Sequence, residues 1–273
     1  GDLDFLGSAD GRGGVLINLA RSPGAIRSVS TRSFVGDGAQ QISGFVIKGE
    51  SPQTVILRGL GPSLASVGIN NPLSNPMIRL YAGRELIASN DDWVSHPEAE
   101  RIQATGVTPP NVKEAALRVR LMPGVYSAHL MGEPGDSGVG ILAIDVDLQM
   151  PTDSMQVNTS ALVAVSQGEN IAIRGFLVSG DSPVKVLVRG LGPSLRARGV
   201  TGPLSNPQLK LYRGTKLIAM NDDWRSDGNA HEVALLEQAP KHDKEAAVLR
   251  TLAPGLYSVH LSGAGGGSGA GIV

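Results

Sequence analysis

The sequence predicts an all-β protein of two tandem antiparallel β-sandwich or jelly-roll domains with one short helix each. Three observations carry that expectation: an internal repeat, short alternating runs punctuated by turn residues, and a composition rich in glycine and poor in aromatics. The repeat is plain. Arg58-Gly59-Leu60-Gly61-Pro62-Ser63-Leu64 returns 131 positions later as Arg189-Gly190-Leu191-Gly192-Pro193-Ser194-Leu195. At the same offset, 72–76 returns at 203–207, Asn90-Asp91-Asp92-Trp93 at 221–224 and 123–127 at 254–258. Such self-similarity marks one structural unit used twice. The 36 glycines far exceed the usual share of roughly 7% and suit short strands joined by tight turns.

Alternating and β-branched runs bounded by Gly, Pro and Asn predict strands over 26–34, 41–48, 53–59, 77–81, 85–89, 114–121, 125–131 and 138–147, with the second copy repeating them. Gly61 and Pro62 bend the chain out of the third strand, Pro62 opening a helical turn through Val67. Helices are expected over 95–105 and, more clearly, over 229–238, where Val233 and Leu236 share a face. These boundaries divide the chain into an N-terminal segment (1–27), a first repeat (28–149), a short proline-containing connector (150–154) and a second repeat (155–273).

The two copies end differently. Copy one closes on the long apolar run 138–147, whereas copy two has only Gly269-Ala270-Gly271-Ile272-Val273. Before copy one, residues 13–20 resemble that last strand, with Val15, Leu16, Ile17 and Leu19 as its apolar members. A sandwich lacking a strand leaves unpaired backbone groups beside an open groove. Residues 13–20 could fill it within the chain, fill it in a neighbouring molecule by strand addition, or belong to the end of an earlier repeat.

A formal net charge of −1 with scattered Lys and Arg gives no basic stripe for nucleic acid. No run of about 18 apolar residues predicts membrane insertion, and the first residues lack the pattern of a secretory leader, so any leader is expected to be gone already. With no cysteine, disulfides and thiolate sites are excluded.

The strings 58–64, 90–93 and 123–126, closing on 138–147, resemble repeats of large secreted proteins of environmental bacteria. The stretch from Leu80-Tyr81 through Asn90-Asp91-Asp92 to Gly124-Val125-Tyr126 is also similar to bacterial pre-peptidase C-terminal domains. The resemblance implies a β-sandwich carried by extracellular or cell-surface proteins, serving attachment, targeting or assembly without catalysis.

For chemistry, Asp91, Asp92, Asp222 and Asp223 are the candidate metal ligands, because clustered oxygens on a turn suit Ca²⁺. The competing reading is an Asx turn closing a strand, which carries more weight because no further acidic partner is fixed by spacing. Trp93 and Trp224 are candidates for stacking on a sugar, or else core residues. Arg58 and Arg189 suit bonds to turn carbonyls. His129 and His260 lie in matched strands, on the face opposite Tyr126 and Tyr257, without a nucleophile elbow. The expectation is therefore a non-enzymatic extracellular structural or adhesive protein that requires no cofactor, with Ca²⁺ as an optional ligand. Its expected partner is itself, head-to-tail as an oligomer or filament, or an extracellular polysaccharide or cell surface. The alternative is a carbohydrate-binding or calcium-dependent targeting module of a larger secreted enzyme.

Overall fold

In the repeat-one motif the backbone carbonyl of Leu73 runs so close to Gly61 that a Cβ there would sit 2.1 Å from its oxygen, and Gly192 meets Leu204 in the same way. This crossing, which only glycine permits, fixes the turn between a strand and a short 3-10 segment in both copies. The computed structural model describes residues 25–36, 38–147, 150 and 154–273. The assembly segment expected at Val15, Leu16, Ile17 and Leu19 lies outside them.

Repeat one contains β1 (Ala25–Val35), β2 (Gln41–Lys48), β3 (Gln53–Leu60), β4 (Pro76–Ala82), β5 (Glu85–Asn90), α1 (Ala99–Ala104), β6 (Ala115–Leu121), β7 (Gly124–Gly132) and β8 (Gly138–Val146). Repeat two contains β9 (Met155–Val165), β10 (Ala172–Ser179), β11 (Val184–Gly190), β12 (Pro207–Arg213), β13 (Lys216–Asn221), α2 (Ala230–Ala234), β14 (Ala246–Leu252), β15 (Gly255–Gly263) and β16 (Gly269–Ile272). The protein is all-β, and among the described residues all strand pairing is antiparallel apart from two isolated parallel bridges. The 3-10 turn Pro62–Val67 begins at the expected proline.

Both helices are shorter than their sequences suggest. A 3-10 turn at Trp93–Ser95, closed by extended backbone at His96 (φ −69°, ψ 136°) as at Asp227 in repeat two, precedes a helix that starts only at Ala99. The second helix stops at Ala234, yet Val233 is buried and Leu236 still packs on the same cluster as Trp224.

Each repeat forms a two-layer sandwich, and the two are joined by exchanged first strands. β1 pairs with β8 of its own repeat along one edge and with β10 of the other repeat along the opposite edge. Reciprocally, β9 pairs with β16 of its own repeat and with β2 of repeat one. The two exchanged strands meet where Phe34 opposes Ala164, at the centre of a pseudo-two-fold arrangement. The hydrogen-bonded order across the molecule is therefore β13-β12-β15-β10-β1-β9-β2-β7-β4-β5. The backing layers are β6-β3-β8 in repeat one and the β11-β14 pair beside β16 in repeat two.

Alternation within the strands turns one face of each layer inward. Phe45, Ile47, Leu57, Leu80, Leu117, Leu130 and Ile144 fill the core of repeat one. Phe176, Val178, Leu209, Val248, Val259 and Leu261 fill that of repeat two, to which Val29 of β1 also belongs. A strand of one repeat thus contributes to the core of the other.

Candidate functional site

The repeated motifs converge on one device built around a buried carboxylate. Glu114, at the entrance to β6, is fully buried. Its Oε1 accepts hydrogen bonds from the N–H groups of Gly61 (2.9 Å) and Ser63 (3.1 Å) and from the Ser63 hydroxyl (2.6 Å), while Oε2 accepts from the Asn111 N–H (3.2 Å). Glu245 repeats this with Gly192, Ser194 and His242. A buried carboxylate is tolerated when several donors satisfy it, so the glutamate ties the glycine-proline turn after β3 to the start of the neighbouring strand β6. Neither glutamate was singled out from sequence, although Lys113-Glu114-Ala115-Ala116 and Lys244-Glu245-Ala246-Ala247 are an intact repeat at the same offset.

The Asn-Asp-Asp-Trp segments are turns closed by their asparagines. Asn90 is buried; its Nδ2 donates to the Asp92 carbonyl (3.0 Å) and its Oδ1 accepts from the Ala116 N–H (2.9 Å). Asn221 does the same with Asp223 and Ala247. The Asp91 carboxylate accepts from the Asp92 N–H. Asp91 and Asp223 are exposed, and Asp92 and Asp222 partly so. Among the described residues, no three His, Cys, Asp or Glu side chains gather as a metal would require. Trp93 is half-buried with its indole N–H donating to the Asn111 carbonyl (3.1 Å). Trp224 is only 3% exposed, with the Arg225 guanidinium 4.4 Å from its ring centroid.

The arginines of the repeat differ in what they hold. Arg58 donates from Nε and Nη2 to Asp145 of β8 (3.1 and 2.9 Å), which also accepts from the Ser28 hydroxyl. Arg189 instead reaches the Gln238 carbonyl (2.8 Å), the kind of partner expected from sequence, and burial pushes its guanidinium down. The asymmetry follows the last strands: Ala143 to Asp145 of β8 lie between β1 and β3. Among the described residues, the corresponding edges of β9 (158–160) and β11 (186–189) have no strand partner. Beside β6, a cleft of about 520 Å³ is lined by Glu98, Arg101, Arg118, Arg120 and Met150. There Arg118 bridges Glu98 (2.5 Å) and Asp147 (2.7 Å), and its hydrogen bond holds the Glu98 carboxyl below its ordinary value.

No protein-family model matches the chain, and no curated protein matches it in sequence.

On the outer faces, His129 and His260 pack against Tyr81 and Tyr212, with ring centroids 4.7 and 4.6 Å apart and ring planes tilted by 46° and 39°. Burial lowers both imidazoles, aided by Arg79 at His129 and by Arg32 and Lys210 at His260. The Ser127 hydroxyl lies 3.3 Å from His129 Nε2. In a hydrolytic triad a carboxylate orients such an imidazole; the charge felt here is that of Arg79. None of the described helices is long and apolar enough to cross a membrane.

Proposed function

We propose that this chain is a non-catalytic extracellular structural or adhesive protein whose tandem β-sandwich repeats are welded by strand exchange and assemble head-to-tail by the same kind of pairing between molecules. The observation that carries this reading is the reciprocal placement of β1 and β9, each completing the sheet of the other repeat. Main-chain ladders between units give a joint of many hydrogen bonds that needs no specific side-chain chemistry, which is how strand addition builds fibres. In this reading the edges of β9 (158–160) and β11 (186–189) that have no strand partner among the described residues act as the acceptor, and residues 13–20 as a donor of similar pattern.

Negative-stain electron microscopy with size-exclusion light scattering tests the reading. Oligomeric ladders or filaments are expected from the full chain, and their loss on deletion of residues 1–20. Assembly unchanged by that deletion overturns the donor assignment, and a clean monomer at all concentrations overturns the head-to-tail reading. Glycan binding abolished by Trp93→Ala and Trp224→Ala would establish instead the carbohydrate-binding or calcium-dependent targeting module.

A further inference from the structure

Where the two cores meet, the inner face of the sandwich becomes polar. Thr31 and Ser33 of β1, Gln41 and Ser43 of β2 and Arg174 of β10 are all buried there, Arg174 being 5% exposed. Four of them, all but Ser43, form a connected set. Arg174 Nη1 donates to Thr31 Oγ1 (2.7 Å), Gln41 Nε2 donates to the Thr31 carbonyl (3.0 Å), and the Ser33 hydroxyl donates to Gln41 Oε1 (3.0 Å). Ser43 lies two residues along β2 from Gln41 on the same inward face.

Two features of this seam are unusual. No ion pair involves Arg174 among the described residues, although its guanidinium lies inside the sandwich. In addition, Arg174 Nη2 and the Ser43 hydroxyl have no hydrogen-bond partner among the described residues. A buried charge is normally paired, because leaving it uncompensated is far more costly than leaving a neutral group unbonded. Burial alone pushes the Arg174 guanidinium down to about 9, which still leaves it charged at neutral pH. The groups with spare capacity beside the charge are donors: the second guanidinium nitrogen and the Thr31 hydroxyl, whose oxygen already accepts from Arg174. A neutral water would satisfy hydrogen bonds but leave the charge uncompensated. Donors around a fixed positive charge between two packed sheets select a compact anion.

We propose that Arg174 and Thr31 form a buried binding site for a small monovalent anion of the halide class, placed at the junction of the two repeats. The anion neutralises Arg174 and bonds the inner faces of β10 and β1 to one another. The equivalent inward positions of the other half, Ala161, Val163 and Ala172, are apolar, so the pseudo-symmetry gives one such site and not two.

Bromide is the probe. Crystals of the full chain soaked in sodium bromide are expected to show an anomalous peak within contact distance of the Arg174 guanidinium. Thermal melting in sodium chloride or bromide is expected to exceed that in sodium gluconate of equal ionic strength, by roughly 2–5 °C for each tenfold excess of halide over its dissociation constant. Arg174→Met should abolish the halide-specific shift, and the milder Thr31→Val should reduce it. The absence of an anomalous peak in the seam overturns the proposal. So does equal melting of the native protein in halide and gluconate, or a halide shift that Thr31→Val and Arg174→Met both leave intact.

Discussion

At the scale of single residues, the buried glutamates are the most exposed to test, because the two copies are internal controls for one another. Glu114→Gln keeps the shape but replaces one acceptor oxygen by an amide donor facing N–H groups, so bonds at 2.6–3.2 Å are lost or reversed. A loss of about 1–3 kcal/mol is expected from urea unfolding, with a similar loss for Glu245→Gln. The imidazoles give a pH prediction. His129 and His260 have lowered values in the folded protein, so the folded state binds fewer protons than the unfolded one. Their contribution is then complete above the ordinary histidine value near 6.5 and is lost as pH falls through the lower folded-state values. Urea midpoints should fall between pH 7.5 and 5.5, and His129→Phe with His260→Phe should flatten that fall.

At the scale of elements, the strands were legible because each obeys a period of two and is bounded by Gly, Pro or Asn. The expectation over 41–48 coincides with β2, and the others differ by a residue or two at their ends. Pairing partners were not legible. A strand's sequence states that both its edges are covered but not by which copy, and two near-identical repeats present near-identical edges. A trace was nevertheless present: at the 131-residue offset Gln41 and Ser43 face Ala172 and Arg174, and the first strands, 25–35 and 155–165, share few residues, whereas 58–64 and 189–195 are identical. Those positions are complementary parts of one junction, so they have no reason to stay alike. Glu114 and Glu245 were missed for a different reason: a charged residue before an apolar run reads as a solvated turn until the cradle of N–H groups around it is seen. The exchange also predicts how β1 fails. Ser30 is paired on both edges, with Ala143 and with Gly175. Proline there removes a ladder bond and clashes in a strand flanked on both sides. Ser30→Pro should therefore destabilise both repeats, read as loss of near-ultraviolet dichroism from Trp93 and Trp224 alike.

For the whole molecule, two sandwiches sharing strands should not unfold independently. Each core contains residues that the other repeat's ladder holds in place, Val29 being the clearest. Variants retaining one tryptophan each, Trp93→Phe and Trp224→Phe, report on repeat two and repeat one respectively. Their guanidinium transitions should coincide once each is corrected for its own stability, as a two-state system requires. Two separate transitions would mean that the exchanged strands contribute little to coupling.

The antiparallel meeting of Phe34 with Ala164 also carries a history. Two copies related by a pseudo-two-fold, each lending its first strand to the other, have the geometry of a symmetric homodimer whose subunits have been joined end to end in one gene. Closed two-fold pairing is the commonest way for identical chains to associate. An unduplicated ancestor of this chain would have been such a dimer, dependent on its own concentration to fold. Joining two copies in one chain removes that dependence and leaves the halves free to differ, as Ser43 and its counterpart Arg174 do.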